Sequence, residues 1–168
     1  MTTASPLGRY DEPTTDEQLH QVKLLGLPLR VMIAGREQHD ELMREFALLA
    51  LGSPAGRPEV PRRLVELTQI LGVQYGGAAA RPDELVDAAA ARGDDTIDLT
   101  YQVPAHVLEA ADHLDALMSE ADEFCRGEQL LTLARSDVLV QFSDWYLGEF
   151  RRQIAGEPAQ PWTGPLDP

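Results

Sequence analysis

Two His-Asp pairs, His39-Asp40 and Asp112-His113, are the residues of this chain whose types suit metal-assisted hydrolysis. Imidazole and carboxylate are both ligands for zinc and other transition ions. Their spacing works against a site on one helix. Neighbouring helical residues point about 100° apart, and no HExxH pattern supplies the i, i+4 histidine pair that a helical zinc site uses. His106 and His113 are separated by roughly 10 Å of helix rise, too far to share one ion. A metal site therefore needs His39, Asp40, Asp112 and His113 brought together from separate elements.

Other chemistries fare worse. Cys125 follows Met118 and Ala121 at helical spacing, which predicts an inert buried thiol, because a nucleophilic cysteine wants a basic or histidine neighbour. No nucleophile elbow is present for Ser-His-Asp catalysis. Gly35 with Arg36 is a single glycine beside a single arginine, whereas a phosphate cradle needs a Gly-rich strand-to-helix loop. Close acidic pairs such as Asp94-Asp95 arise by chance in a chain with 28 Asp and Glu. The group Glu120, Asp122, Glu123 and Glu128 differs in lying near the end of a long helix, where acids oppose the macrodipole and a basic partner would relieve them. Phe142, Trp145, Tyr146 and Phe150, followed by Arg151-Arg152, are the densest aromatic cluster. Phe142, Tyr146 and Phe150 share one helical face and suit a core; Trp145 lies at its edge, and Trp and Arg are common interface anchors. The expected partner-binding residues are thus Trp145, Arg151, Arg152, Trp162, Glu120 and Glu123.

The elements that must carry these residues follow from periodicity. Leu29 to Ile33, inside an apolar run from Leu24, reads as a short buried strand, with Gly35 releasing the chain into a helix over Glu37 to Leu51. A linker from Gly52 to Pro58 leads to a second amphipathic helix through Leu64, Leu67 and Leu71. Pro82 opens and Gly93 closes an Ala-rich helix. Thr96 to Val103 alternates Ile97, Leu99, Tyr101 and Val103 with polar residues, a strand with one buried face. His106 to Arg126 is the longest helix, and Ser136 caps a last one that runs to Gly156. The order strand, helix, helix, twice over, is compatible with a pseudo-duplication that pairs the two strands antiparallel, and equally with two unrelated segments of common type. Either way the expected class is α+β, a mostly helical single domain with two short strands.

Residues 1–16 have almost no apolar periodicity and read as a flexible tail; residues 17–155 form the domain; residues 156–168 are a Pro-rich extended tail. Trp162 in that tail exposes a large apolar area unless it docks, and docking on the chain's own last helix near Trp145 is favoured over a partner's groove. With 14 basic against 28 acidic residues the net charge is −14, which argues against nucleic acid, whose phosphates need a basic face. At 43% hydrophobic and 25% charged the chain can fold. It has no long apolar run and no leader pattern, so a soluble, cytoplasmic protein away from membranes is expected.

Four segments carry a likeness to known proteins: His39-Asp-Glu-Leu-Met-Arg-Glu-Phe46, Ile97-Asp-Leu-Thr-Tyr-Gln-Val-Pro104, Ala121-Asp-Glu-Phe-Cys-Arg126 and Trp145-Tyr-Leu-Gly-Glu-Phe150. In these the chain resembles a family of small, functionally uncharacterised helical proteins from high-GC bacteria, associated with the partner-switching modules that control alternative sigma factors. The resemblance implies a bacterial regulatory protein acting through protein–protein interaction, and it supplies no catalytic residues. The kinase-type anti-sigma factors of such modules carry an asparagine-bearing helix and an Asp-x-Gly-x-Gly loop, both missing here, so no ATP and no other cofactor is expected. The leading expectation is a non-enzymatic regulator that binds a protein with a basic surface, in stress or sigma-factor signalling. A metal-assisted hydrolase and a small-ligand sensor are the alternatives.

Overall fold

The computed structural model of this protein describes residues 18–51, 83–127 and 130–168. Strand β1 (Leu19–Pro28), helix α1 (Leu29–Leu51), helix α2 over 83–92, strand β2 (Thr96–Pro104), helix α3 (Val107–Arg126) and helix α4 (Asp137–Ile154) follow in that order. The class is α+β, mostly helical, with one two-stranded antiparallel sheet. The 1–16 tail and the helix expected through Leu64 to Leu71 lie outside the described residues.

The first strand is not where the apolar run suggested. Leu29 to Ile33 is helical, and β1 occupies Leu19–Pro28 ahead of it. The run spans both the end of a strand and the start of a helix. In β1 the period is two: Val22 and Leu24 are buried while Gln21 and Lys23 are exposed. From Leu29 onward a helical stripe continues to Leu42, so Gly35 lies inside α1 rather than at its start. A Cβ on Gly35 would meet Leu139 Cδ2 of α4 at 3.7 Å, ordinary contact, so this glycine marks where the two helices cross.

Leu24 pairs with Leu99 and Leu27 with Ile97, which leaves Leu25 and Gly26 opposite Asp98 in a bulge. Gly26 takes φ 65°, a left-handed conformation suited to glycine. The extra N–H of the bulge is satisfied by Asp98, whose Oδ1 accepts from Gly26 N at 2.7 Å. The remaining elements fall close to their expected places. Ser136 Oγ accepts from Leu139 N, capping α4, and Gly93 and Gly156 follow their helices with φ 81° and 90°.

Two apolar clusters hold the fold. The larger joins Val22, Leu24 and Leu27 of β1 with Leu99 and Val103 of β2, Val86 and Ala89 of α2, and Leu139, Phe142 and Phe150 of α4. The smaller joins Leu42 of α1, Leu117 and Ala121 of α3, and Leu130. Helix α1 contributes Leu29 and Val31 to the first and Leu42 to the second, tying the two together.

The C-terminal residues 157–168 have no helix or strand, yet they are firmly attached. Trp162 is 9% exposed and stacks edge-on against Phe142 and Trp145. Its N–H donates to Leu25 O and its indole Nε1 to Pro165 O, both at 2.9 Å. The ring folds back over Gly164 so closely that a Cβ there would lie 2.3 Å from Trp162 Cζ2. Trp162 therefore docks on its own chain. Replacing it by Ala is expected to cost about 3 kcal/mol and lower Tm by roughly 6 to 12 °C. Gly164→Ala should also lower Tm, because the ring must shift to admit the methyl. Thermal unfolding followed by circular dichroism checks both.

Candidate functional site

Helices α1, α3 and α4 diverge around a cleft of about 630 Å³, the size of a small-molecule site. Its apolar walls come from Met32 of α1, Leu114 and Met118 of α3, and Phe142 and Leu147 of α4. Polar groups reach it from every side.

Arg36 lines the cleft from α1 and is held by Asp83 at 2.6 Å and Asp87 at 3.0 Å, both on α2. Arg135, just ahead of α4, is more deeply committed. Its Nε donates to Asp122 Oδ2 at 2.8 Å, its backbone N to Asp122 Oδ1 at 2.9 Å, and its Nη1 to Ser143 Oγ at 3.1 Å. Both partners of this ion pair are buried, with side chains 8% and 5% exposed. Asp122, expected in an acidic group that a basic partner would relieve, is instead the buried counter-ion of Arg135. Ser143 Oγ donates on to Leu139 O, so its hydroxyl is already engaged as donor and acceptor.

Tyr146 of α4 donates its phenol to Tyr101 of β2, at 3.1 Å. Burial, then the neighbouring Tyr101, pushes the Tyr146 hydroxyl well above its ordinary range, so both groups are neutral phenols at physiological pH. His39 is lowered by burial, with Asp40 opposing, which favours the neutral imidazole. Burial raises the Cys125 thiol, reinforced by Asp122 and Glu45, and makes it a poor nucleophile. The cleft thus sets the phenol pair and His39 between apolar walls, with the paired charges of Arg36, Asp83 and Arg135 at its sides.

Of the four residues considered for a metal, His39 and Asp40 line this cleft, while Asp112 and His113 do not. Asp112 is exposed and held by Arg151 Nη2 at 2.5 Å, and His113 is exposed on α3. Among the described residues no three His, Cys, Asp or Glu are grouped as an ion would require. The six expected contact residues divide. Trp145 packs on Phe142 and donates Nε1 to Gln160 O at 3.1 Å, Trp162 covers it, Arg151 binds Asp112, and Arg152 binds the buried Glu149. Glu120 and Glu123 are exposed on α3, and the Arg151 side chain stays 41% exposed beside Asp112.

The segment Leu130 to Leu133, after α3, is ambiguous from sequence alone. Leu130 is buried in the smaller cluster, but Leu131 is 93% and Leu133 82% exposed. They are held there. Glu45 of α1 accepts from Leu131 N at 2.6 Å, Thr132 N at 2.8 Å and Thr132 Oγ1 at 2.7 Å, and Gln38 Nε2 donates to Leu133 O at 2.9 Å. Burial works to raise the Glu45 carboxyl, but these hydrogen bonds outweigh it and leave it below its ordinary range. Leu48, one turn further along α1, is 69% exposed. An alternating Leu-Thr-Leu in an irregular segment carries no periodic signal, so only the three-dimensional anchoring reveals it. Comparison of the chain with protein-family models, with curated proteins and with solved structures finds no match.

The lowered His39 makes a testable pH dependence. The native state holds neutral His39, while the unfolded chain protonates it near its ordinary value of about 6.5. Stability contributed by neutral His39 is present above that value and is lost as pH falls toward the lower native one. Urea unfolding from pH 7.5 to 5.5 should show stability declining, and His39→Gln should flatten that part of the profile.

Proposed function

We propose that this chain is a non-enzymatic regulatory protein that acts by binding another protein, with Leu131, Leu133 and Leu48 as the apolar contact and the surrounding acids as its rim. The observation that carries this reading is the hydrogen-bonded presentation of Leu131 and Leu133. A leucine on a loose segment can turn inward, but here the backbone is fixed by Glu45 and Gln38 with both side chains outward. Exposed apolar groups on a pre-ordered backbone lose little entropy on association. The net charge of −14 steers the chain toward a basic surface. Glu120 and Glu123 are open to solvent on the helix that packs against Leu130. The resemblance to partner-switching regulators points the same way and suggests a bacterial signalling role.

A second reading, a small-ligand sensor, is favoured by the cleft of about 630 Å³ with its neutral tyrosine pair and His39. The two are compatible, because the cleft and the leucines share helix α1.

Co-purification from the source organism at low and high salt tests the leading reading. A stoichiometric partner should be recovered at low salt, and its recovery should fall with added salt and with Leu131→Asp/Leu133→Asp. The double variant should keep the wild-type Tm, since neither side chain is buried. Recovery of no partner, or recovery indifferent to the double variant, overturns it.

A further inference from the structure

The two edges of the sheet are treated very differently, and we propose that the open one, the outer edge of β2, pairs antiparallel with β2 of a second copy of this chain. The direction of the backbone groups follows from Lys23. Its N–H donates to Gln153 Oε1 at 2.8 Å and its carbonyl accepts from Gln153 Nε2 at 2.7 Å, so both point away from β2. In an antiparallel ladder such a residue faces a partner whose own groups also point outward. That partner is Thr100, and Gln21↔Gln102 repeats the relation two residues on. The backbone N–H and C=O of Thr100 and Gln102 therefore face away from β1, and Asp98 shares their parity. Among the described residues no third strand meets them.

The β1 edge carries three protections: the amide of Gln153, the C-terminal segment bonded from Trp162 N to Leu25 O, and the bulge at Gly26. Each is a known way of blunting an edge. From Ile97 to Val103 β2 has no proline, no lysine and no bulge on its own strand. Its one charge, Asp98, is turned to the Gly26 N–H.

The sequence of β2 is complementary to itself. A twofold axis through Thr100 sets Thr100 against its own copy and Asp98 against Gln102 of the second copy, twice. Thr–Thr and carboxylate–amide are favourable cross-strand pairs. Thr100, Asp98 and Gln102 are exposed in the single chain; Asp98 accepts from the Gly26 N–H through Oδ1, which leaves Oδ2 for the amide of Gln102 of the second copy. The same register sets Ile97 opposite Val103 and Leu99 opposite Tyr101 on the core face, extending a two-stranded ribbon into a four-stranded sheet. Two chains of charge −14 repel, so this association strengthens as salt is added. That is opposite to the salt response of the partner binding proposed above, and it uses a different surface.

The test is analytical ultracentrifugation of the full chain across a concentration series at low and high salt, with hydrogen exchange of the Thr100 and Gln102 amides. A monomer–dimer equilibrium is expected, tighter at high salt, with both amides exchanging fast in the monomer and slowly in the dimer. Thr100→Lys should raise the dimer Kd at least about tenfold, although by net charge alone it favours association. Thr100→Pro should do the same and still fold, because the lost N–H points outward; circular dichroism and Tm check that. A chain monomeric at all concentrations and both salts overturns the proposal. So does slow exchange of these amides in the monomer, which would mean another segment of the chain occupies the edge. A dimer unchanged in Thr100→Lys, or abolished by Leu131→Asp/Leu133→Asp, overturns it as well.

Discussion

A carboxylate sealed from solvent holds the better-packed half of this molecule in register. Glu149 of α4 is 0% exposed and is bound by Arg152, by Gln153 Nε2 at 2.7 Å and by Gln160 N at 3.0 Å. Removing an ionised carboxylate from water costs several kcal/mol unless a counter-charge and further donors replace the lost hydration. Here two of the three replacements, Gln153 and Gln160, also do something else. Gln153 reaches from Glu149 to both backbone groups of Lys23 and so fixes α4 against β1. Gln160 brings the C-terminal segment back along α4, where its carbonyl accepts from Trp145. That places Trp162 over Phe142 and against the bulge at Leu25. A two-stranded ribbon is marginal by itself, and this arrangement gives it a packed face and a closed edge.

How much of this could be read in the sequence depends on whether a residue's neighbours are close along the chain. The ends of α3 and α4, the Ser136 cap, the terminating Gly93 and the alternation in β2 are local features, and they stand where local chemistry put them. The apolar run from Leu24 to Ile33 is local too, but it belongs to two elements, and hydrophobicity alone does not mark the change at Pro28 from period two to helical spacing. The docking of Trp162 on its own chain agrees with a global argument, the cost of leaving an indole in water, whereas its residue type also suits a partner contact. The acids were the hardest to assign. Asp122 and Glu149 look like the other carboxylates of an acidic chain, and only Arg135, Arg152, Gln153 and the backbone of Gln160, supplied by the fold, distinguish them.

The same point explains the candidate site. Arginine and tryptophan near the C-terminus suit an interface by type; within the chain Trp145 and Trp162 stack on each other, Arg151 pairs with Asp112, and Arg152 pairs with Glu149 while its Nε has no hydrogen-bond partner among the described residues. Leu131 and Leu133 have no periodic signature, because irregular backbone carries none. What marks them is that Glu45 and Gln38, from another helix, make the hydrogen bonds that a strand or helix would otherwise provide. No helix among the described residues is long and apolar enough to cross a membrane.

The two apolar clusters give the surfaces different supports. The β2 edge rests on the larger cluster, closed by α4 and Trp162, whereas Leu131 and Leu133 project from the smaller one, built on Leu42, Leu117, Ala121 and Leu130. The cleft opens between them, with Met32 and His39 of α1 on one wall and Tyr146 of α4 on another. Helix α1 is the common member. It begins in the larger cluster at Leu29, passes the cleft at Arg36 and His39, and reaches Leu42 and Glu45 beside the leucine segment. Glu45, on the same helix as Arg36 and His39, accepts from the backbone that presents Leu131 and Leu133. Coupling between sites requires such a shared physical element rather than proximity alone. In this fold the element shared by the cleft and the leucine segment is a single helix of 23 residues, which carries Leu29 into the larger cluster and Leu42 into the smaller.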